Sequence, residues 1–254
     1  MGTMMRGRLL AGAALAVVLL AVAAACGGGG KDEATPTPST GATDIPADTP
    51  ADTSAGTPTA TPSAVEQQLN GMVLQLSDLP AGFSVAEESF STNEDVAGAG
   101  QDAAEVMARL TEWGRILGHG VVFSSQASGE GGLLLVDSTV SLYQDDSGAA
   151  ASFADAVTTA RATDWQATAG QATDVHVDEV QPLDVGDEIL WLRISGTAPI
   201  GDPPSQQPFI QDVVLLRVGR VRGSVSTISQ ATDVAVTVEN MVRAQVANMA
   251  AGLQ

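Results

Sequence analysis

Cysteine, histidine and aromatic residues are scarce in this chain of 254 residues, which has one cysteine, two histidines and 4% aromatic residues. The single cysteine, Cys26, excludes a disulfide within the chain. The fold must therefore be held together by the burial of apolar surface alone. A domain of about 190 residues, the length from Ala64 to Gln254, is large enough for this, because it buries roughly 70% of the surface of its unfolded chain.

Positive charge is scarce as well. The 11 Lys and Arg residues stand against 30 Asp and Glu residues, for a formal net charge of −19 at pH 7. A surface this acidic repels the phosphates of nucleic acids and the headgroups of anionic lipids. The composition therefore predicts that the protein binds no nucleic acid and does not approach a membrane through a basic patch.

The signatures of common catalytic and cofactor sites are missing too. The sequence has no Gly-x-Ser-x-Gly nucleophile elbow and no Asp-x-Asp-x-Asp-Gly calcium loop. The stretch from Gly98 to Ala103 matches Gly-x-Gly-x-x-Ala and opens a helical pattern, but a polar run precedes it where a dinucleotide site needs a strand. We interpret it as a loop before a helix, and we expect no cofactor.

The N-terminus has the pattern of an export signal. Arg6 and Arg8 precede an apolar run from Leu9 to Ala25, and small residues lead into Cys26. This arrangement resembles the lipobox of bacterial lipoproteins, in which the cysteine carries acyl chains such as palmitate. The resemblance implies a signal peptide over residues 1–25 and membrane attachment through an acylated Cys26. A retained transmembrane anchor or a secreted protein without acylation remains the alternative.

Residues 26–63 are rich in Thr, Pro, Ala, Asp and Gly, and Ile45 is the one large apolar residue among residues 27–63. Such a segment cannot bury enough surface to offset the entropy cost of ordering. The composition therefore predicts that residues 26–63 are the lipidated cysteine and a disordered linker, followed by one globular domain over residues 64–254.

Hydrophobic periodicity in the globular part predicts the element order α-β-α-ββ-α-ββββ-α. Short connections between neighbouring strands favour a mainly antiparallel α+β fold over a doubly wound parallel sheet. The predicted helices run from Val65 to about Leu76, from Ala103 to Leu117, from Ala149 to Ala160 and from Thr232 to Ala251. The predicted strands are Ser84 to Phe90, a strand opening at Val121, Leu134 to Leu142, Val175 to Val180, Glu188 to Ser195, and Phe209 to Ile228 folded back at Gly219-Arg220. The polar stretch from Ser91 to Gly100 is predicted to be a loop.

Three arginines cluster at the predicted hairpin. With a two-residue turn at Gly219-Arg220, Arg217 and Arg222 lie directly opposite each other, and Arg220 is in the turn. Opposed like charges destabilise a strand pair unless something anionic lies between them. The pattern predicts either neighbouring acidic residues or contact of Arg217, Arg220 and Arg222 with an anionic ligand or partner.

His176 and Asp178 are two residues apart on a predicted strand and so share a face. With Asp187 or Glu188 they form a weak candidate for a metal site or for a base with its orienting carboxylate. The alternative is a solvated polar face. His119, the other histidine, is predicted to lie at a helix end flanked by glycines.

Two further groups have both a functional and a structural interpretation. The acidic turns at Asp145-Asp146 and at 184–188 could bind calcium weakly, although ordinary capping and turn roles are favoured. Trp113, Trp165 and Trp191 could line a pocket, although core packing is favoured.

Several segments resemble the extracytoplasmic sensor-type domains of actinobacterial lipoproteins and receptor kinases, which are similar to the Mog1/PsbP-like α+β fold. They are LSDLPAGF from Leu76, VSLYQDDSGAAASF from Val140, VGDEILWL from Val185 and VVLLRVGRVRGSVS from Val213, followed by an amphipathic helix. The resemblance implies a module that binds or senses without catalysis, and it assigns no functional residue.

The sequence therefore predicts a membrane-anchored, extracytoplasmic and monomeric binding or sensing lipoprotein, without catalytic activity and with an unknown ligand or protein partner. Two alternatives stay open. A carrier of lipid or another apolar molecule would need a deep apolar cavity between sheet and helices. A hydrolase would depend on His176.

Overall fold

The structure is a computed structural model that describes residues 63–99, 102–125, 132–200, 204–230 and 233–254. The predicted signal peptide, Cys26 and almost all of the predicted linker lie outside the described residues.

Seven strands and six α-helices make up the described part of the chain. The strands are β1 (Phe83–Ser91), β2 (Arg115–Ser125), β3 (Leu133–Tyr143), β4 (Thr173–Val180), β5 (Glu188–Ile200), β6 (Ser205–Val218) and β7 (Val221–Ser229). The helices are α1 (Ala64–Asn70), α2 (Asn93–Gly98), α3 (Ala103–Glu112), α4 (Asp146–Ala162), α5 (Trp165–Thr168) and α6 (Ala235–Gly252), and a 3-10 turn covers Leu76–Asp78.

The strands form one sheet in the order β1-β2-β3-β7-β6-β5-β4, and every neighbouring pair is antiparallel. The predicted α+β class with an antiparallel sheet is confirmed. The hairpin prediction is confirmed as well, because β6 and β7 pair Val218 with Val221 and Val214 with Val225. Gly219 has φ +53° in the turn, a backbone conformation that glycine adopts without strain.

Alternation along the strands separates the sheet into two faces. One face packs against α1 and α6, the first and last of the described helices, and its core includes Leu69, Val136, Val214, Val225 and Val238. The other face, here named the cleft face, packs at β5 and β6 against α4 and α5. That second core includes Phe153, Trp165, Leu190, Val213 and Leu215.

The predicted first helix is too long. Helix α1 ends at Asn70, and Gly71 caps it. Met72, Val73 and Leu74 are fully or almost fully buried in the non-helical segment that follows, although the spacing of Met72 and Val73 predicts one helix to Leu76. The backbone N–H of Leu74 donates instead to the buried hydroxyl of Ser138 on β3, at 2.9 Å. A long-range contact therefore replaces the helical hydrogen bond.

The predicted loop from Ser91 to Gly100 contains helix α2. Thr92 is its N-cap, and a reciprocal capping box links the hydroxyl of Thr92 to Asp95 N–H and the carboxylate of Asp95 to Thr92 N–H. These hydrogen bonds allow a short helix without a long apolar stripe. Its buried residue, Ala97, packs with Val106 and Leu110 of α3.

The predicted second helix is also too long, and it includes residues that form the beginning of strand β2. Helix α3 ends at Glu112, and Gly114 has φ +65°. Strand β2 then begins at Arg115, six residues before the predicted opening at Val121. His119 consequently lies inside β2, opposite Val140 of β3, and is not at a helix end.

The last helix, α6, is anchored next to a buried ion pair. Arg193 of β5 donates to both carboxylate oxygens of Asp212 on β6, at 2.9 and 3.2 Å, and Trp191 Nε1 donates to Asp212 Oδ1 at 2.7 Å. Arg193 also reaches Asp233, which accepts from the N–H of Ala235 at the start of α6. Among the described residues, no helix combines the length and the apolar character needed to cross a membrane.

Candidate functional site

A polar strip crosses the cleft face on strands β3 and β7. Strand register places Asp137 opposite Ser226, Thr139 opposite Ser224 and Ser141 opposite Arg222. Residues opposite each other in an antiparallel pair point to the same side of the sheet. The hydroxyls of Thr139 and Ser224 lie 2.6 Å apart and share a hydrogen bond. Six neighbouring polar side chains therefore form a floor on the cleft face.

Apolar side chains line the rest of this region. They are Val96 of α2, Leu110 of α3, Ala156 of α4, and Val213 and Leu215 of β6, the strand beside the floor. Together with the floor they line an open cavity of about 260 Å³. We name this cavity the cleft. Its volume and its polar floor fit a small polar molecule.

Arg115 lies at one end of the cleft, at the start of β2, and is only 7% exposed. Its Nη2 donates to Ser91 Oγ at 2.8 Å, its Nη1 to Asn93 Oδ1 at 3.0 Å, and its Nε to Ser141 Oγ at 3.2 Å. A Cβ on Gly118 would approach Arg115 Nη2 to 2.2 Å, so glycine at position 118 is what lets the guanidinium lie there.

Arg222 extends over the same end from β7. Its Nη1 donates to the hydroxyl of Ser152 on α4 at 3.0 Å and lies 3.4 Å from the Ser152 carbonyl oxygen. The Ser152 hydroxyl in turn lies 2.6 Å from the buried Tyr143 hydroxyl. Helix α4 thus holds Arg222 through a neutral hydroxyl network.

Among the described residues, neither Arg115 nor Arg222 forms an ion pair with a carboxylate. Five of the eight arginines in the described segments form ion pairs with Asp or Glu: Arg109, Arg161, Arg193, Arg217 and Arg243. Within the same segments Arg115, Arg220 and Arg222 form none. The pKa of Arg115 is lowered to about 10, mainly by burial; Tyr143 and Asp95 oppose this shift, and the positive charge of Arg222 contributes to it. Arg115 is still charged at neutral pH.

Asp137 lies at the other end of the floor. It is four residues from Ser141 on the same strand, which corresponds to about 13 Å along β3. The pKa of Asp137 is raised to about 6, mainly by burial and in addition by the negative charge of Glu87 on β1. The cleft therefore has a permanently positive end and an end whose charge changes near pH 6.

The hairpin arginines do not act as one cluster. The register does place Arg217 directly opposite Arg222, as predicted. Arg217 is ion-paired with Glu188 and, at 3.2 Å, with Asp187, whose carboxylate also accepts from Gly219 N–H at 2.6 Å. The neighbouring acids that the sequence suggested are thus found for Arg217, and Arg222 faces the cleft.

His176 and Asp178 are exposed on β4, the edge strand of the sheet, where their register partners are Ser195 and Arg193. Asp187 and Glu188 contact Arg217 and so do not complete a site with His176. Among the described residues, no three His, Cys, Asp or Glu side chains lie together in an arrangement that could hold a metal ion. The other histidine, His119, is buried, stacks on Phe90 at 4.3 Å and lies 3.2 Å from Glu88 Oε1.

The remaining candidates of the sequence have structural roles. Asp145 caps α4 by accepting from Gly148 N–H at 2.8 Å. Trp165 and Trp191 are buried in different cores, on opposite faces of the sheet, and Trp113 packs beside the small core of α2 and α3. The Gly98–Ala103 motif follows helix α2, and two of its residues, 100 and 101, lie outside the described part.

Sequence reasoning missed Arg115, because the predicted helix extended across it. A usable signal was present in β3 and β7, where Asp137, Thr139 and Ser141 recur at every second position, as do Ser224 and Ser226. These two patterns predict that β3 and β7 each have a polar face. The sequence alone does not show that the two faces form one floor, because that requires β3 and β7 to be neighbours in the sheet.

The described residues thus define an α+β domain with a polar, arginine-bearing cleft between its sheet and its helices. A comparison with protein families and a comparison with curated proteins found no match for the chain. Among solved structures, the fold is similar to the crystal structure of the extracellular domain of PknH from Mycobacterium tuberculosis. That similarity has a TM-score of 0.45 and 12% sequence identity, over 73% of this chain and 97% of the other. The function is therefore argued from the cleft itself.

Proposed function

We propose that this protein is a membrane-anchored, extracytoplasmic binding or sensing lipoprotein, without catalytic activity, and that its cleft binds a small polar ligand. The observation that carries the proposal is the floor of six polar side chains inside a cavity of about 260 Å³. Sheet positions covered by helices are normally apolar, since burying polar groups costs free energy. A polar floor at such a position is what a ligand-binding surface requires.

The proposed location rests on the N-terminal sequence. The signal-like run before Cys26 and the polar segment after it are typical of a tethered extracytoplasmic domain. As a flexible coil, a linker over residues 26–63 has a root-mean-square length of about 35 Å. This length would hold the domain clear of the membrane surface while keeping it attached.

The cleft favours a polar ligand over the lipid cargo considered from the sequence. Its volume of about 260 Å³ is below the usual range of sites for drug-sized ligands, which begins near about 300 Å³. Acyl chains need a longer and uniformly apolar cavity. Arg115, Arg222 and the five floor residues that bear a hydroxyl or a carboxyl group instead offer hydrogen bonds and charge.

A cavity-filling substitution tests this proposal. Ala156 lines the cleft from α4, whereas Ala151 of the same helix is exposed. The full chain, purified in detergent, is screened by thermal shift against small polar organic molecules and inorganic anions. The proposal expects at least one stabilising compound whose effect is lost in Ala156→Phe and kept in Ala151→Phe. A blank screen, or a ligand that binds Ala156→Phe as well as the unmodified protein, would contradict it.

A further inference from the structure

We propose that the arginine end of the cleft binds an oxyanion group, such as a sulfate, phosphate or carboxylate, between the guanidinium groups of Arg115 and Arg222. This inference rests on the proposed function and names the chemical class of the ligand. It goes beyond the hairpin cluster predicted from the sequence, because Arg115 is 107 positions from Arg222 in the chain.

The proposal depends first on a buried cation that no described carboxylate contacts directly, although the charge of Asp95 acts on Arg115 from farther away. An arginine that is 7% exposed has lost most of its hydration, and a buried cation is normally paired with an anion. Arg115 instead donates to neutral oxygens of Ser91, Asn93 and Ser141. The chain has 30 acidic residues, so the lack of a carboxylate among the described contacts of Arg115 is not due to a shortage of acids.

The proposal depends secondly on N–H donors of Arg222 that remain available to a ligand. A guanidinium has five N–H donors in a fixed plane. Within the described contacts, Arg222 uses Nη1 alone, toward Ser152, which leaves Nε and Nη2 for another acceptor. These donors belong to a side chain that lines the cleft.

The third step is convergence of the two arginines. Ser141 accepts from Arg115 Nε and lies directly opposite Arg222 in the strand register. Arg222 is also close enough for its charge to lower the pKa of Arg115. Two guanidinium groups and the hydroxyls of Ser141 and Ser224 thus surround one end of the cavity. Oxyanions match this arrangement, since arginine recognises them through paired, charge-assisted hydrogen bonds.

The experiment measures anion binding to the full chain in detergent. Sodium sulfate, sodium phosphate and sodium acetate are titrated separately at constant ionic strength, with chloride as the balancing anion, and the melting temperature is followed. The proposal expects saturable stabilisation by at least one oxyanion and none by chloride. Comparing the three anions distinguishes tetrahedral groups from a carboxylate.

Arg220 supplies a matched control. It lies in the same hairpin and has no ion pair within the described segments, so Arg220→Gln and Arg222→Gln change the net charge equally. Arg222→Gln is expected to weaken oxyanion binding at least tenfold, because a charge-assisted contact is lost. Arg220→Gln should change it less than twofold. An equal loss in both variants would show an adventitious ion only, and would overturn the site.

A second variant keeps the proposal testable if Arg222→Gln unfolds. Ser224→Asp places a carboxylate on the floor beside Arg222. It should abolish oxyanion binding and raise the melting temperature in chloride, because the arginines gain an internal counterion. Unchanged oxyanion binding in Ser224→Asp would overturn the proposal.

Failure of this inference is distinguishable from failure of the proposed function. If a neutral polar compound binds in an Ala156→Phe-sensitive manner and no oxyanion does, the oxyanion site is wrong and the cleft remains a binding site. If an oxyanion binds Ala156→Phe and the unmodified protein equally, the anion lies outside the cleft, and the site proposed here is wrong.

Discussion

Replacing Asp137 with Asn should make the protein more stable at neutral pH and remove part of its pH dependence. Burial raises the pKa of Asp137 from 3.8 to about 6 in the folded protein. The folded state therefore holds this proton more tightly than the unfolded state does. The resulting stabilisation is fully present below about pH 4 and is lost as the pH rises through about 6.

The size of the effect follows from the pKa difference. A shift of about two pH units corresponds to about 3 kcal/mol, and partial solvent access to Asp137 reduces this to about 1–3 kcal/mol. An amide keeps the size of the side chain but never ionises. Asp137→Asn should therefore match the unmodified protein near pH 4 and exceed its free energy of unfolding by about 1–3 kcal/mol at pH 7.5.

Urea denaturation at several pH values between 4 and 8 measures this difference directly. Comparing the two proteins at each pH cancels the contributions of the other acidic residues. Asp178→Asn, on the exposed edge strand β4, controls for the removal of one negative charge and should show no comparable gain. A difference between Asp137→Asn and the unmodified protein that stays constant from pH 4 to 8 would refute the reasoning.

Three further predictions concern the fold, the cleft and the anchor. Asp212→Ala should lower the free energy of unfolding by about 3–5 kcal/mol, because it removes the buried partner of Arg193 and leaves only the exposed Asp233. Asp233→Ala, at a 74% exposed side chain, should cost less than about 1 kcal/mol. Denaturation curves that show a cost below about 1 kcal/mol for both variants would contradict this. Gly118→Ala should displace the guanidinium of Arg115 and weaken oxyanion binding. Gly120→Ala should not weaken it, because the nearest atom would be 3.4 Å from the added Cβ. Equal titration curves for the two variants would contradict the cleft geometry. Cys26→Ser should release the protein from membranes or leave it uncleaved, because acyl chains at this thiol are its proposed anchor; a processed variant that still sediments with membranes would disprove the lipid anchor.

Local patterns were sufficient to predict most of the sheet. The β6–β7 hairpin followed from Gly219 in a two-residue turn between apolar runs, and β3 followed from Leu134, Val136, Val140 and Leu142 at every second position but one. Both signals depend on residues that are close in sequence, so the tertiary structure did not change them.

The candidate site was not predictable in the same way. Arg115 is positioned by the turn at Gly114 and by the space at Gly118, neither of which has a periodic signature. Its relation to Arg222 depends on β3 pairing with β7, which are separated by about 80 residues in the chain. The sequence predicted that Arg217 and Arg222 lie opposite each other in the hairpin. It did not predict that they have different roles, which arise because Asp187 and Glu188 form ion pairs with Arg217.

The central claim, that the cleft is the ligand site, is tested most directly by a crystal structure of the protein with the best-binding oxyanion, at a concentration only a few times its measured dissociation constant. The account predicts the anion inside the cleft, with oxygen atoms about 2.7–2.9 Å from nitrogens of both Arg115 and Arg222. An empty cleft at that concentration, or an anion bound at the exterior of the hairpin near Arg220, would contradict it.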